Sequence, residues 1–408
     1  MRMRAIAGVL DVGTNEEAVS QMLQSMKRRA RGKNGVYTTN GITLLTKVDT
    51  NEESYPLTVE WAGERYVICF DGRIYNRCEI QQKLLTLGYP VEGCCDGEVI
   101  LYGYICWNEK VLDLVNGEFA MAILCEREEK VFLARDRMGI KPLFYSAVEN
   151  GLVFASEIKT ILAFPTVEAR LDVDGICQLI LIGPGRIPGS GILKGIHELK
   201  PGHYGIYHRG NLQLRCYWKL KDRNFDDSFE DTTEKVRTLI FDSVRNQMMA
   251  PTAVGTMLSG GLDSSIISAI CGREYDCRGM RLHTFSLDYQ DHDKFFQPGR
   301  FQPSSDTEYI RIMQEVLDSH HHWTILTPEN LVDGLLDAII ARDLPGMADV
   351  DTSLLAFVKK IVPDTSVVLS GECADELFCG YPWFRDTDMR NIEGFPWANS
   401  LVERSEFM

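Results

Sequence analysis

The chain has 408 residues, of which 45% are hydrophobic and 25% charged, and its 58 acidic and 43 basic residues give a formal net charge of −15 at pH 7. This length predicts roughly two to three domains, and the composition excludes both a wholly disordered chain and a small scaffold held together by disulfides. The excess of acidic residues argues against a nucleic-acid partner, because neutralising phosphates requires an excess of Lys and Arg.

The sequence also argues against a membrane partner. No apolar run approaches the roughly eighteen residues of a membrane span. The apolar stretch 5–10 is too short for the core of a signal peptide and is followed at once by Asp11, so we expect a cytoplasmic protein. The 12 cysteines are scattered without a Cys-x-x-Cys pair, which is typical of reduced thiols. The triplet 320–322 is all histidine, but adjacent side chains point in different directions, so it does not by itself predict a metal site.

The first half of the chain predicts an antiparallel β-sandwich, because short apolar or alternating runs are separated by Gly, Asn and Asp turn signals. Helices are expected around 16–29 and 78–87. The predicted strands are 66–70, 119–124, 131–134, 143–146 and 152–155.

A region rich in Gly and Pro at 182–191 separates this half from the rest. It lies within a connecting region that we expect at 172–230. This division predicts an amino-terminal domain at 1–171 and a second domain at 231–408.

From residue 231, strands alternate with helices, a pattern that predicts a parallel sheet covered by helices with ligands at the carboxyl ends of the strands. Thr327 and Pro328 are typical of an N-cap and a first helical residue. The expected strands are 252–258, 282–288, 323–326 and 365–369, and the expected helices are one stopping near Gly272, one at about 306–318 and one ending before Pro345.

The segment 259–265 reads SGGLDSS and lies where a predicted strand enters a predicted helix. Its glycines allow a tight turn that brings backbone N–H groups to a polyphosphate, and the helix N-terminus adds partial positive charge. Asp263 suits a Mg²⁺ ion that bridges phosphate oxygens. The absence of Lys excludes the P-loop of enzymes that transfer a γ-phosphate. The other residues assigned to this loop are Ser259, Gly260, Gly261, Ser264 and Ser265.

This segment resembles the pyrophosphate-binding loop of the ATP pyrophosphatases, and nearly the whole chain resembles asparagine synthetases. In that family, ATP adenylates the side-chain carboxylate of aspartate, pyrophosphate leaves, and ammonia displaces AMP to give asparagine. The resemblance implies an α+β amino-terminal domain, an Ntn-hydrolase-like β-sandwich, followed by an α/β parallel-sheet ATP-pyrophosphatase domain. The segments that carry it are 116–120, 134–145, 154–159, 201–203, 217–218 and 370–381.

The resemblance also implies ATP and Mg²⁺ as cofactors, and aspartate and ammonia as partners. Members of the family are often dimers, which makes a homodimer an expectation, although no segment here indicates an interface. The segment 341–349 occupies the place of the family's amino-acid loop but differs from its commonest form. The residues carried over are Leu258 and Leu287 beside the adenine, Ser370 and Gly371 against the nucleotide, and Glu372 and Asp375 near aspartate, Mg²⁺ and pyrophosphate. Asp263, Glu372 and Asp375 are the expected catalytic residues, and Asp263 and Asp375 the expected metal ligands.

The amino-terminal half departs from the family at its expected nucleophile. Arg4 stands where the family has a terminal Cys, and an Arg that stays protonated is no nucleophile. Asp71, Gly72 and Arg73 replace the family's Asn-Gly-Glu and reverse the charge at a glutamine contact, whereas Asp96 of this glutamine-binding remnant persists. We therefore predict a domain that folds but does not hydrolyse glutamine.

A second departure follows the motif at 370–376. The family has a helical region there whose lysines neutralise charge at the reacting centre, whereas this chain has no Lys after Lys360 and has Cys379 in place of a Gly. The leading interpretation is an ammonia-dependent asparagine synthetase whose activity could be impaired by truncation. Two alternatives stay open: a nucleotide-binding pseudoenzyme or fragment, and a ligase similar to the β-lactam synthetases, which also lack the terminal Cys.

Overall fold

A computed structural model of the chain describes residues 4–49, 55–93, 95–183, 185–224, 226–249, 253–299 and 304–391. The contacts divide the chain into two compact units, one ending at Arg223 and the other beginning at Asn224. Across the described ranges, no helix combines the length and the apolar character that crossing a bilayer requires.

The amino-terminal unit contains two six-stranded antiparallel sheets with the orders β10-β8-β9-β1-β3-β2 and β12-β11-β7-β6-β5-β4. All five strands predicted for the first half are confirmed, with small shifts at their ends. The strands are β1 Arg4–Leu10, β2 Lys33–Thr39, β3 Ile42–Val48, β4 Leu57–Trp61, β5 Glu64–Ile74, β6 Gly117–Cys125, β7 Lys130–Arg135, β8 Phe144–Val148, β9 Gly151–Ala155, β10 Ile196–Glu198, β11 His203–His208 and β12 Asn211–Cys216.

The alternating side chains of β5 show what packs against each face of its sheet. Val67 and Cys69 pack between the two sheets, whereas Ile68 and Phe70 point to the opposite face and pack with residues of α2 and α3. On the other sheet, α1 packs against β3 and α5. The predicted α+β sandwich is therefore confirmed. The helices are α1 Glu16–Ser25, α2 Arg77–Thr86, α3 Asp96–Trp107, α4 Val111–Leu114, α5 Ile158–Leu162 and α6 Val173–Cys177.

The expected connecting region contributes strands to this unit. β10 pairs with β8, and β11 pairs with β7. The helix expected at 16–29 ends at Ser25 and continues only as a 3₁₀ turn, Met26–Arg28.

The second unit has a four-stranded sheet with the order β15-β14-β13-β16, and each neighbouring pair is parallel. The predicted parallel sheet covered by helices is confirmed. Its strands are β13 Val254–Met257, β14 His283–Tyr289, β15 His320–Leu326 and β16 Val367–Leu369. Its helices are α7 Phe229–Met248, α8 Leu262–Asp276, α9 His292–Phe295, α10 Asp306–Val316, α11 Pro328–Arg342, α12 Ala348–Ile361, α13 Ala374–Phe378, α14 Pro382–Arg385 and α15 Thr387–Arg390.

Two apolar clusters hold helices on opposite faces of this sheet. On one face, side chains of α7 and α8 pack with Val254 and Leu369. On the other face, Phe357 and Ile361 of α12 pack with Phe285. Burial of these side chains is the main stabilising contribution at each face, since it scales with the apolar area removed from water.

The sequence was wrong about the end of α8 and right about the start of α11. α8 continues through Gly272 to Asp276. An added Cβ at Gly272 would lie 3.2 Å from Cδ2 of Leu317, so this glycine serves close packing and does not end the helix. Thr327 accepts a hydrogen bond from the backbone N–H of Asn330, and the Asn330 side chain accepts one from the backbone of Thr327. This capping box, with Pro in the first turn, begins α11 as predicted.

Candidate functional site

The carboxyl ends of β13 and β16 lie level with one another. Their register runs from Val254 opposite Val367 to Thr256 opposite Leu369. The chain passes from β13 to β14 and β15 on one side, whereas β16 lies on the other side of β13. The strand order reverses there, and the carboxyl ends of the strands at such a point are the usual place for a ligand in open α/β sheets.

The loop after β13 is held by hydrogen bonds of Ser264. Its hydroxyl accepts from the backbone N–H of Ser259 at 3.2 Å and donates to the carbonyl of Gly261 at 3.1 Å. Gly260 adopts a φ of +80° and lies so close to α10 that an added Cβ would be 2.8 Å from Cβ of Tyr309. The loop therefore turns tightly into α8, whose first N–H groups have no partners within the helix.

The loop after β16 touches the loop after β13. A Cβ added to Gly371 would lie 2.9 Å from the backbone nitrogen of Ser264 and 3.0 Å from Cβ of Asp263. Ser370 orients its own loop by accepting a hydrogen bond from the backbone N–H of Glu372 at 3.1 Å. The two sequence motifs thus meet through a contact that only a glycine allows.

A pocket of about 370 Å³ lies at this junction. Of the residues predicted for the nucleotide site, all line it except Gly260 and Ser265. The predicted residues in its wall are Leu258, Ser259, Gly261, Asp263, Ser264, Leu287, Ser370, Gly371, Glu372 and Asp375. Residues in the wall that the sequence did not predict are Met257, Phe285, Ser286, Asp306, Ile310, Phe357, Cys373 and Tyr381.

One wall of the pocket is apolar. Leu258 is only 1% exposed, and Leu287 packs against the cluster formed by Phe285 and Phe357. Ile310 of α10 also lines the pocket. Such a wall suits a flat, largely apolar group such as a purine base. The segment 341–349 does not line the pocket; Arg342 within it pairs with Asp351 at 2.6 Å instead.

The pocket lining also contains four acidic residues, Asp263, Asp306, Glu372 and Asp375. Burial raises the pKa of Asp263, and the nearby carboxylate of Asp375 raises it further, against a smaller lowering by the backbone N–H of Asp263 itself. Two carboxylates that repel one another fit a divalent cation with oxygen ligands, which Mg²⁺ prefers. None of the described residues in the pocket wall is Lys or Arg. Asp263 and Asp375 could therefore hold Mg²⁺, and the cation would relieve their repulsion.

We expect Gly371→Ala to weaken nucleotide binding by about tenfold to a hundredfold. The added methyl group would force the two loops apart, and overpacking of this kind costs about 1–3 kcal/mol. Titration with a fluorescent adenine nucleotide in the presence of Mg²⁺ would measure the dissociation constant. Gly299→Ala is the matched control, because nothing lies within 4 Å of a Cβ at that position. Equal affinity of the two variants would contradict the close contact.

In the amino-terminal unit, Arg4 begins β1 and is only 7% exposed. Its guanidinium carbon lies 4.6 Å from the ring centre of Tyr55 and 6.0 Å from that of Phe70, distances at which a cation interacts with an aromatic face. Its carbonyl accepts a hydrogen bond from Nε of Arg29 at 3.0 Å. The position predicted for the nucleophile thus holds a buried cation packed on aromatic rings.

The remnant of the glutamine site gathers around the end of β5. Asp71, Gly72 and Arg73 lie on this strand, and a carboxylate oxygen of Asp96 accepts a hydrogen bond from the backbone N–H of Ile74 at 3.2 Å. Burial raises the pKa of Asp96, although that hydrogen bond and nearby arginines oppose the rise. The sequence motifs therefore predicted residues that the fold does bring together.

Asp71 makes an ion pair that the sequence did not predict. Its carboxylate lies 2.7 Å from a terminal nitrogen of Arg29, and the two side chains are 2% and 14% exposed. Because Arg29 also donates to the carbonyl of Arg4, it links β5 to the start of β1. Asp71 is thus engaged within the protein rather than facing solvent.

Comparison with known proteins agrees with this two-part organisation. The family described as "Glutamine amidotransferase domain" matches residues 3–218, and the family described as "Asparagine synthase" matches residues 235–407.

Three relatives of known name are similar along most of the chain. Asparagine synthetase [glutamine-hydrolyzing] 3 of Bacillus subtilis (strain 168) is 39% identical over 96% of this chain and 64% of its own length. Asparagine synthetase [glutamine-hydrolyzing] 1 of the same organism is 28% identical over 91% of this chain and 57% of its own length. The asparagine synthetase [glutamine-hydrolyzing] of Gallus gallus is 28% identical over 91% of this chain and 66% of its own length.

This chain thus spans less than two thirds of the length of the two Bacillus proteins. The matches nevertheless cover both units, and the predicted family is confirmed. The chain belongs to the asparagine synthetase family, with a glutamine amidotransferase domain followed by an asparagine synthase domain.

Proposed function

We propose that this protein is an ATP-dependent amide ligase that adenylates the side-chain carboxylate of aspartate and aminates it with free ammonia. The observation that carries the proposal is the junction of the two loops, where Asp263 and Asp375 meet beside an apolar wall in one pocket. An acidic pair for a cation, a tight turn for phosphates and an apolar wall for a base are the parts that Mg-ATP requires.

Each part has a distinct role in the proposed reaction. The loop at 259–264 would position the pyrophosphate end of the nucleotide, and Leu258 and Leu287 the adenine. Mg²⁺, when bound by Asp263 and Asp375, would neutralise charge on the departing pyrophosphate. The carboxylate oxygen of aspartate attacks the α-phosphorus and the bond between the α- and β-phosphates breaks. Ammonia then attacks the acyl carbon, and AMP leaves.

Free ammonia rather than glutamine is proposed as the nitrogen source because of Arg4. The relatives carry the words "glutamine-hydrolyzing" in their names, and hydrolysis of that amide by this fold needs a nucleophile at the start of β1. Here that position holds a guanidinium that is 7% exposed and packed on Tyr55. A guanidinium has no nucleophilic atom at neutral pH.

A second candidate is a nucleotide-binding protein without turnover. It is favoured by the absence of Lys and Arg from the described pocket wall. Adenylation develops negative charge at the α-phosphate, and loss of a cation there removes several kcal/mol of transition-state stabilisation.

We expect asparagine and pyrophosphate to form when the protein is incubated with Mg-ATP, aspartate and ammonium, and at least about tenfold less asparagine with glutamine. The measurement is pyrophosphate release coupled to chromatography of the amino acids, with glutamine freed of ammonium beforehand. Equal yields from both nitrogen sources would contradict the role given to Arg4. Saturable nucleotide binding without pyrophosphate release would favour the second candidate over the ligase.

A further inference from the structure

A cluster of histidines lies at the edge of the parallel sheet opposite to the nucleotide pocket. His283 begins β14 and His320 begins β15, and the two residues are paired in the register of the strands. Because side chains alternate along a strand, His320 and His322 share one face of the sheet and His321 lies on the other. His321 is engaged on its own face, where its Nδ1 lies 2.8 Å from the hydroxyl of Thr284.

Three side chains of this cluster converge. Nδ1 of His283 lies 3.0 Å from Nε2 of His322, and the two rings are nearly parallel with centres 5.1 Å apart. Nδ1 of His322 lies 3.7 Å from a carboxylate oxygen of Asp364. One donor atom from each of the three residues lies within 4.8 Å of the other two. Three potential ligands are thus contributed by three separate segments of the chain.

We infer that His283, His322 and Asp364 form a binding site for a divalent transition metal, with Zn²⁺ as the best match. Two imidazoles and one carboxylate with open positions for water are a common ligand set for Zn²⁺ and related ions, whereas Mg²⁺ prefers oxygen ligands alone. In a tetrahedral site with bonds of about 2.0–2.1 Å, ligand atoms lie about 3.3 Å apart. One ligand atom from each of the three side chains lies within 4.8 Å of the other two, so the cluster must contract to reach that spacing.

The protonation of the cluster is compatible with metal binding. Burial lowers the pKa of His283, and the neighbouring His322 and His320 lower it further, against the opposing charge of Asp364. The neutral imidazole is the form that binds metal.

A metal ion bound here would connect separate chain segments at the end of the sheet opposite to the nucleotide pocket. Asp364 lies in the turn between α12 and β16, and His283 and His322 lie on β14 and β15. His322 also stacks on Phe285 with ring centres 4.8 Å apart, and Phe285 belongs to the cluster that holds α12. A bound ion would therefore connect the end of α12 to two strands and stabilise the unit by an amount that rises with the logarithm of the free ion concentration divided by the dissociation constant.

Zn²⁺ titration of the purified protein, followed by calorimetry, tests the site directly. We expect one saturable site per chain, a rise of the melting temperature with Zn²⁺, and visible ligand-field bands when Co²⁺ replaces Zn²⁺. His322→Gln and Asp364→Asn should each weaken binding by at least about tenfold. Asp364 is exposed at the surface, so its substitution should leave the fold intact and keep the test valid if the His322 variant is unstable.

Two controls separate this site from others. His320→Gln removes a histidine whose ring centre lies 5.2 Å from that of His283 but which is not one of the three ligands, and it should keep the affinity. Asp263→Asn alters the nucleotide pocket at the other end of the sheet and should also keep the Zn²⁺ affinity. A failure of the metal site is then distinguishable from a failure of the nucleotide site. The absence of saturable binding would overturn the inference, as would unchanged affinity in both ligand variants or an equal loss in either control.

Discussion

Asp263→Asn is expected to lower the rate of pyrophosphate release by about a thousandfold and to remove the Mg²⁺ dependence of nucleotide affinity. The carboxylate lies at the start of α8, in the same pocket wall as Asp375. An amide keeps the shape but not the charge that would hold the cation. Metal coordination contributes several kcal/mol to the stabilisation of a transition state, and about 1.4 kcal/mol corresponds to a factor of ten in rate.

The same substitution should not destabilise the protein in the absence of ligand. Burial and the carboxylate of Asp375 raise the pKa of Asp263 in the folded state. Protonated Asp263 therefore stabilises the folded state at low pH, and this stabilisation is lost as the pH rises through the folded-state pKa. At neutral pH the repulsion is therefore present, and an uncharged Asn relieves it. We expect the melting temperature of the ligand-free variant to equal or exceed that of the parent protein.

Asp276→Asn is the matched control, because Asp276 ends the same helix and does not line the pocket. It should leave Mg²⁺-dependent affinity and turnover unchanged. A parent-like rate in the Asp263 variant would remove the proposed metal role. A marked loss of melting temperature in that variant would indicate that Asp263 supports the fold and not a cation.

The fold could be predicted from the sequence where one face of each element is buried and its pattern is periodic. β1 is buried along its whole length from Arg4 to Leu10 and was not predicted, because its apolar run was interpreted only as too short for the core of a signal peptide. The equally buried β9 was predicted from its apolar run and flanking turn signals. The β2–β3 hairpin did carry a signal. Asn40 and Gly41 have φ values of 35° and 79°, and Asn-Gly is a strong indicator of such a turn.

The residues of the site could be predicted only where they belong to a motif that is contiguous in sequence. The loops after β13 and β16 have distinctive residues at fixed spacing, and their meeting follows from the strand order. Asp306 and Phe357 come from helices outside both sequence motifs, and only tertiary packing brings them to the pocket wall. The same limit applies to His322, since neither of its neighbours in the cluster is close in sequence.

Asp71→Ala is expected to destabilise the amino-terminal unit by about 3–5 kcal/mol, because it leaves the buried guanidinium of Arg29 without its partner. Burial lowers the pKa of Arg29, but the charge of Asp71, the hydrogen bond to it and the charge of Glu157 together outweigh burial and keep that pKa above its ordinary value. Hydrogen exchange of peptides from β5, followed by mass spectrometry, measures the free energy of opening where the pair lies.

The exposed pair of Glu60 and Arg65, 2.6 Å apart, provides the control. Glu60→Ala should change exchange in β4 and β5 very little, since solvent screens exposed charges and the pair is not held in place by packing. The double variant Asp71→Leu with Arg29→Met should recover much of the stability, because replacing both partners leaves no unpaired buried charge. If Asp71→Ala proved as mild as Glu60→Ala, the ion pair would not support the remnant glutamine site. If the double variant were as unstable as Asp71→Ala, the stabilising contribution of Arg29 would come instead from its hydrogen bond to the carbonyl of Arg4.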